Sequence, residues 1–581
     1  MRFWRPRVSA KELTVAAVFA AAIAMAPSAA HAQFGASFDL STLDGTNGFV
    51  INGIDSSDHS GSAVSGAGDV NGDGIDDLII GAPGADPNRN SMAGESYVVF
   101  GKNSGFSSLL NLRTLNGSNG FVINGIDAGD DSGSTVSGAG DVNGDGINDL
   151  IIGASRADPN GNSTAGESYV LFGNNSGFSS SLNLSTLDGT NGFVINGIDA
   201  GDRSGPVSGA GDLNGDGLSD LIIGGSSAGE GYVVFGQSSG FSSSLNLSAL
   251  DGSNGFSISG RSAVSVSGAG DINGDGIDDV IIGAPFADPN GNSEAGESYV
   301  VFGSNSGFSS SLDLNALDGT NGFVINGIDA NDFSGNSVSG AGDVNGDGLD
   351  DLIIGATFAD SNGNSYAGVS YVVFGSNSGF SSSLDLSTLD GANGLTFSGA
   401  NSNDFSGRSV SSAGDINGDG IDDVTISGGV DEDYVVFGSN SGFSSSLDLS
   451  TLDGTNGFVI SGTIASSVSG AGDINADGID DLIIGASGAD PNGNSRAGVS
   501  YVVFGRAASP VLKGDVDMDG DIDFSEISHH SFPSCNPVFS KPKQIVIAAQ
   551  LSTSQISQRS STSCKSNKTL QVREPVVPDS L

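Results

Sequence analysis

The sequence contains little cysteine, tryptophan, histidine or positive charge. Its 581 residues include two cysteines, Cys535 and Cys564, so neither a disulfide nor a thiolate metal site can form between Gln33 and Ser534. Lys and Arg number 20 against 68 Asp and Glu residues, which gives a formal net charge of −48. Because a surface this acidic repels phosphate groups, we expect neither a nucleic acid partner nor docking to anionic membranes.

Catalytic motifs are also scarce. His59 is the only histidine between Gln33 and Pro510, and the single tryptophan is Trp4. Two G-x-S-x-G sequences lie in turns rich in glycine and serine, without the following helix that a nucleophile elbow requires. We therefore predict that the protein is not an enzyme and has no catalytic residues. The alternative is an enzyme that cleaves glycosides with a pair of carboxylates, since the sequence contains many acidic residues.

Residues 1–32 are typical of a secretion signal. Four basic residues precede an apolar, alanine-rich stretch from Leu13 to Pro27, and Ala30-His31-Ala32 offers a small-x-small cleavage site. The apolar stretch is short for a membrane span, and no later segment is long and apolar enough to cross a bilayer. We therefore predict a secreted protein without a membrane span, located outside the cell or at its surface.

Seven copies of one repeat dominate the chain after the signal. The element GDVNGDGIDD or a near copy recurs seven times, with its first Asp at Asp69, Asp141, Asp212, Asp271, Asp343, Asp415 and Asp473. Each copy lies among four apolar runs, which we label strands A (VSGAGD), B (DLIIGA), C (SYVVFG) and D (FVINGI). The runs are short, β-branched and bounded by turn residues, with no helical period. Four-stranded units repeated at this scale predict an all-β, seven-bladed β-propeller over residues 33–508.

The two ends of the repeat array are complementary. The seventh repeat stops after its C strand, at Tyr501 to Gly505, while Phe49 to Ile54 is a D strand with no blade before it. Pairing the two would complete the seventh blade and remove two exposed strand edges. We therefore predict a ring closed by pairing of the N-terminal strand with the last blade.

Each acidic element has the spacing D-x-N-x-D-G-x-x-D, which suits one hard cation. Side-chain oxygens at positions 1, 3, 5 and 9 and the backbone carbonyl at position 7 would surround the ion, and oxygen ligands without Cys or His favour Ca²⁺. Polar hairpin turns without metal are the alternative. The seven predicted metal-binding sets are Asp69, Asn71, Asp73, Ile75 and Asp77; Asp141, Asn143, Asp145, Ile147 and Asp149; Asp212, Asn214, Asp216, Leu218 and Asp220; Asp271, Asn273, Asp275, Ile277 and Asp279; Asp343, Asn345, Asp347, Leu349 and Asp351; Asp415, Asn417, Asp419, Ile421 and Asp423; and Asp473, Asn475, Asp477, Ile479 and Asp481.

The predicted topology separates two faces of the ring. In an antiparallel blade the A–B loops, which carry the acidic elements, emerge on one face, and the B–C and D–A loops emerge on the other. These last loops are polar and variable, as recognition loops on a rigid scaffold commonly are. Seven of the eight tyrosines lie in C strands, and only Tyr366 lies in a loop of the predicted recognition face.

The VVFG and IIGAP pieces around DVNGDGIDDLII resemble FG-GAP repeats, as in the N-terminal β-propeller of integrin α chains. The GAP element is intact only at Gly81-Ala82-Pro83 and Gly283-Ala284-Pro285. The resemblance implies a free-standing, calcium-binding propeller that acts as a binding or adhesion module for an extracellular protein or glycan partner. A calcium-dependent polysaccharide lyase or hydrolase on a propeller scaffold and a passive surface or matrix protein are the alternatives.

A different acidic element follows the repeats, in residues 509–530. Its spacing matches an EF-hand loop, and it resembles one half of a dockerin module, which predicts one further Ca²⁺ in addition to about seven in the propeller. An acidic linker is the alternative. The predicted ligands are Asp515, Asp517, Asp519, Asp521, Asp523 and Glu526. Residues 531–581 are rich in Ser, Lys, Gln and Pro without a repeat, and we expect them to be disordered.

Overall fold

The structure, a computed structural model, describes residues 34–227, 229–429 and 432–507. The described residues all lie in one compact unit, Met1–Ser509. The predictions for the signal at 1–32, the acidic loop at 509–530 and the tail at 531–581 therefore concern residues outside the described part of the chain.

Seven five-stranded sheets form the blades of the described chain. The A strands are Ala63–Gly68, Thr135–Gly140, Ser204–Gly211, Ser265–Gly270, Ser334–Gly342, Val410–Gly414 and Ser467–Gly472. The B strands are Asp77–Ala82, Asp149–Ala154, Asp220–Gly225, Asp279–Ala284, Asp351–Ala356, Asp423–Ser427 and Asp481–Ala486. The C strands are Glu95–Val99, Glu167–Leu171, Glu230–Val234, Glu297–Val301, Val369–Val373, Glu432–Val436 and Val499–Val503. The D strands, given in the same blade order, are Gly120–Asn124, Gly192–Asn196, Gly255–Ser259, Gly322–Asn326, Gly394–Ser398, Gly457–Ser461 and Gly48–Asn52.

The predicted seven-bladed β-propeller is confirmed. Within each sheet, strands A to D pair antiparallel in the order A-B-C-D. The seven A strands contact one another in a closed cycle and line a central channel with a volume of about 320 Å³. Alternation of small and β-branched residues along strand A leaves one face to the channel and the other to the core.

A fifth strand, E, was not predicted. After strand C the chain crosses to the preceding blade, pairs parallel with its D strand, and returns through a short 3₁₀ turn as the D strand of its own blade. The E strands of blades 1 to 7 are Ser181–Asn183, Ser244–Asn246, Ser311–Asp313, Ser383–Asp385, Ser446–Asp448, Ser37–Asp39 and Leu109–Asn111. The turns that follow them are Leu40–Thr42, Leu112–Thr114, Leu184–Thr186, Leu247–Ala249, Leu314–Ala316, Leu386–Thr388 and Leu449–Thr451. Four B–C loops also contain a 3₁₀ turn, at Pro87–Arg89, Pro159–Gly161, Pro289–Gly291 and Pro491–Gly493.

The N-terminal segment closes the ring at two blades. Gly48–Asn52 pairs antiparallel with Val499–Val503 and completes blade 7, as the sequence predicts. Ser37–Asp39 pairs parallel with Gly457–Ser461 and completes blade 6. Closure therefore uses two successive strands of the segment, and it covers the outer edges of two sheets.

The core lies between neighbouring blades, where one buried cluster joins Ile79 of blade 1 to Leu150 of blade 2. Aromatic rings extend this core at the outer strands. Phe121, in the D strand of blade 1, stacks on Phe178 from the segment that leads into strand E, with ring centroids 4.2 Å apart. Phe100, which follows strand C, packs against both rings. Full burial of a phenylalanine such as Phe121 stabilises the fold by roughly 1.5–3 kcal/mol.

Candidate functional site

The A–B loops hold the seven predicted ligand sets, and each set is brought together in one loop on one face of the ring. In the first loop, the Asp69 carboxylate accepts hydrogen bonds from the backbone N–H groups of Asp73 (3.0 Å) and Gly74 (2.7 Å). Asp73 Oδ1 accepts one from Ile75 N–H at 3.1 Å. The same bonds recur in all seven loops. Positions 1 and 5 therefore fix the loop conformation locally.

The aspartate at position 9 is the first residue of strand B and has no solvent exposure in any blade. Asp77 Oδ1 accepts a hydrogen bond from Gly101 N–H (2.9 Å), Asp77 Oδ2 accepts one from Val70 N–H (3.1 Å), and the Asn71 amide donates to both oxygens. Burial raises the pKa of Asp77 to about 8. The equivalent fully buried residues are Asp149, Asp220, Asp279, Asp351, Asp423 and Asp481.

No basic side chain compensates these buried carboxylates in the described chain. The ion pairs found there join Arg113 to Asp55, Arg156 to Asp131 and Arg261 to Glu297, all away from the A–B loops. A buried carboxylate without a counter-charge is costly. Each A–B loop is therefore electrostatically suited to a cation.

The donor set fits an oxygen-binding cation after one local change. Within the described residues, no three His, Cys, Asp or Glu side chains stand together as a metal site. Each predicted set instead adds an asparagine and a carbonyl to its three aspartates. The Asn71 Nδ2 atom lies 3.1 Å from Asp77 Oδ2, and a 180° rotation of the amide would replace it by Oδ1. Cation binding thus requires Asn71 and Asp77 to give up their mutual hydrogen bond.

Position 8 of the acidic element, which was not among the predicted ligands, links neighbouring blades. The Asp278 carboxylate of blade 4 accepts a hydrogen bond from the Asp212 N–H of blade 3 at 2.7 Å. The same contact recurs at three further junctions. Asp76 of blade 1 accepts one from Asp473 N–H of blade 7 at 3.0 Å, across the closure of the ring. The adjacent acids of the DGIDD sequence are the signal that could have revealed this contact.

The opposite face carries an aromatic cluster in the loops between blades 4 and 6. Phe286, Phe358 and Tyr366 lie in B–C loops and are 60%, 40% and 49% exposed. Phe333 and Phe405 lie in D–A loops. Neighbouring ring centroids are 5.2 to 6.3 Å apart. Sequence reasoning recognised only Tyr366, because the phenylalanines could not be distinguished from those of the core.

Four of these rings line a cavity of about 770 Å³, which we call the aromatic pocket. Its aromatic walls are Phe333, Phe358, Tyr366 and Phe405, and its carboxylates are Asp329, Asp332 and Asp360. Burial, with the Asp329 carboxylate nearby, raises the pKa of Asp332 to about 6. None of the described residues that line the pocket is Lys or Arg. The pocket combines apolar surface with uncompensated negative charge.

The FG-GAP repeat family matches the chain at residues 60–99, 132–171, 263–301, 334–373 and 465–503. These residues lie in blades 1, 2, 4, 5 and 7 and run through strands A, B and C. Blades 3 and 6, which have the shortest B–C connections, lie outside the matched residues. The predicted FG-GAP repeats are therefore confirmed in blades 1, 2, 4, 5 and 7.

Two kinds of relative share part of the sequence. Phosphatidylinositol-glycan-specific phospholipase D of Bos taurus is 32% identical over 30% of this chain and 21% of the relative. The protein of the same name in Dictyostelium discoideum is 28% identical over 51% of this chain and 32% of the relative. Integrin alpha pat-2 of Caenorhabditis elegans is 29% identical over 39% of this chain and 18% of the relative. The chain thus spans about a fifth to a third of the length of these relatives.

The prediction that the protein is not an enzyme is contradicted by these relatives, because phosphatidylinositol-glycan-specific phospholipase D is an enzyme. The prediction rested on the missing serine, cysteine and histidine motifs. The absence of those motifs excludes neither chemistry based on metal ions nor chemistry based on carboxylates, which the sequence left as an alternative.

The architecture and the family matches point to one structural class. No helix among the described residues has the length and hydrophobicity needed to cross a membrane. Seven similar sheets and five family matches agree on the repeat unit. The chain is therefore a seven-bladed β-propeller in which five blades match the FG-GAP repeat.

Proposed function

We propose that the chain is a secreted, calcium-stabilised binding module that engages an extracellular protein or glycan through its B–C and D–A loops. The observation that carries this proposal is the exposed aromatic cluster of Phe286, Phe358 and Tyr366 on the face opposite the A–B loops. Exposed aromatic patches are typical of interaction sites, since water contact with them is unfavourable. The integrin α relatives support a binding role.

Calcium has a structural role in this proposal. The side chains of Asp69, Asn71, Asp73 and Asp77 and the Ile75 carbonyl would hold one ion in the first loop, and the equivalent residues would hold one in each other loop. The bound ion would supply the positive charge that the buried position-9 carboxylate lacks. Because the ligands come from the end of strand A, the loop and the start of strand B, each site would fix two strands of one blade.

Binding of the labelled propeller to intact cells tests the proposal. We expect binding in calcium that is lost in the triple variant F358A/Y366A/F405A. The matched control is M92A, because Met92 is an exposed residue (43%) at the position in blade 1 that corresponds to Tyr366 in blade 5. This variant should bind like the wild type. Equal binding by the triple variant and the wild type would contradict the assignment of the recognition face.

The phospholipase relatives favour a second candidate function, hydrolysis of phosphatidylinositol-glycan. The test is release of a phosphatidylinositol-glycan-anchored protein from vesicles by the purified full chain, with and without calcium. Release in proportion to the amount of propeller would support this candidate, and absence of release at high concentration would remove it.

A further inference from the structure

We propose that the aromatic pocket binds cationic amino sugars of a glycan, an inference that rests on the proposed binding function and specifies its ligand. Two features carry it: the conformation in which the chain holds the aromatic side chains, and the charge of the groups around them. The first indicates that the rings serve a ligand, and the second indicates which ligand.

The rings occupy backbone positions that disfavour them. Phe333 (φ 55°), Tyr366 (φ 55°) and Phe405 (φ 51°) all adopt the left-handed conformation. This conformation is disfavoured for residues other than glycine, because it brings the β-carbon too close to the following carbonyl oxygen. The turn that holds Tyr366 carries Met92 in blade 1 and Arg496 in blade 7, and the D–A turn that holds Phe333 and Phe405 carries His59 and Asp131 in other blades. The fold therefore requires the conformation but not an aromatic residue.

Burial does not repay this cost at Tyr366. Its side chain is 49% exposed, and the adjacent Phe358 is 40% exposed. The Tyr366 N–H donates to Asp360 Oδ1 at 2.8 Å, a bond that any residue at this position could make through its backbone. Strained, exposed aromatic residues that the fold does not need are expected where a ligand uses them.

The charge of the pocket defines the ligand class. Asp329, Asp332 and Asp360 offer acceptor oxygens, and no Lys or Arg is found among the described lining residues. Anionic sugars such as uronates or sulfated residues would be repelled by the three carboxylates. An amino sugar instead presents an ammonium and hydroxyl donors to the carboxylates and an apolar C–H face to the rings. The cavity of about 770 Å³ lies in the range of pockets that bury small ligands.

Ligand-observed NMR titration of the calcium-loaded protein tests the ligand class with three probes. These are the glucosamine trimer, the neutral N-acetylglucosamine trimer, and 1,5-diaminopentane as a cation without a sugar ring. We expect the glucosamine trimer to bind at least tenfold more tightly than either other probe. Equal binding of the neutral trimer would overturn the role of the ammonium group. Equal binding of the diamine would overturn the glycan class, and no binding of the glucosamine trimer would overturn the inference as a whole.

Variants locate the site and separate a ligand role from a structural one. Y366G and D329N/D360N should each weaken glucosamine trimer binding at least tenfold, while M92A leaves it unchanged. Y366G should also melt at the wild-type temperature or above it, since glycine adopts a positive φ without strain. A lower melting temperature for Y366G, or undiminished binding by either pocket variant, would contradict the assignment. Cell binding that persists without any amino-sugar binding would overturn this inference alone and leave the binding module in place.

Discussion

Asp433 is a buried acid that one blade has acquired at a position where most other blades carry serine. The equivalent residues are Ser96, Ser168, Ser298, Ser370 and Ser500. Asp433 Oδ1 accepts a hydrogen bond from Gly428 N–H at 3.2 Å. Asp433 Oδ2 has no hydrogen-bond partner in the described structure. Burial, with Asp404 nearby, raises the pKa of Asp433 to about 8.

Replacing Asp433 by asparagine should stabilise the protein in a pH-dependent way. The pKa of this carboxyl is raised on folding from the ordinary value of about 3.9, so the native state holds its proton more tightly and ionisation opposes folding. The penalty is absent below about pH 4, grows as the pH rises, and levels off above about pH 8. We therefore expect the gain in free energy of unfolding of D433N to increase between pH 5 and pH 8, to about 2–5 kcal/mol. Urea unfolding at fixed calcium measures it, and a gain that does not vary with pH would refute the assignment.

Individual site residues were predictable only where their separation along the chain determines that they lie together in the structure. The acidic elements place Asp69, Asp73 and Asp77 in one loop because their separation along the chain fixes their separation in space. Phe333 and Phe405 offered no such signal, since whether a phenylalanine is buried depends on loops from the adjacent blade. A positive φ at a residue other than glycine cannot be recognised from composition.

At the scale of single elements, strands A to D were predictable and strand E was not. Each of the first four is marked by an apolar run between turn residues, whereas Ser181–Asn183 has only three residues and pairs parallel with another blade. The sequence Ser-Leu-Asn or Ser-Leu-Asp recurs in five of these strands, but three residues are too few to indicate a strand by periodicity, and they do not reveal the partner blade. The partner of the N-terminal D strand was predictable for a different reason. The sequence of the seventh repeat ends without a D strand, so its C strand would otherwise have an unpaired edge.

Phe34 provides a test of the closing segment. It is 1% exposed and stacks on Phe458 with ring centroids 4.2 Å apart, the position that Phe178 takes on Phe121 in blade 1. We expect F34A to lower the free energy of unfolding by about 3–5 kcal/mol, because a buried ring is lost and a cavity remains. Urea unfolding monitored by far-ultraviolet circular dichroism measures the change.

The control for Phe34 is F286A, which removes a ring that is 60% exposed. Its free energy of unfolding should stay within about 0.5 kcal/mol of the wild type. Similar losses for F34A and F286A would show that the N-terminal segment does not contribute to closure of the ring.

At the scale of the whole molecule, side chains of the A–B loops link neighbouring blades at five junctions of the described ring. Position-8 carboxylates such as Asp76 and Asp278 accept hydrogen bonds from the neighbouring loop, so the conformation of one loop affects the next blade. If each loop binds one Ca²⁺ with a Kd of roughly 10⁻⁴–10⁻³ M, 10 mM calcium adds about 1–3 kcal/mol per site. Excess EDTA should therefore lower the melting temperature steeply in a calorimetric scan, and an unchanged melting temperature would contradict calcium binding.

The calcium dependence of a single substitution separates calcium binding from polar turns. Asp77 is fully buried and has no basic partner in the described chain. In excess EDTA, D77N removes an uncompensated buried charge, but it also removes the acceptor of either the Val70 or the Gly101 N–H, and the net change in stability gives the metal-free baseline. In 10 mM calcium, D77N should be destabilised by about 1–3 kcal/mol more than in EDTA, because one ion is lost. D433N serves as the control, since its buried charge lies away from the A–B loops and its effect should be equal in both conditions. If D77N also had the same effect with and without calcium, the loops would be turns that hold no ion.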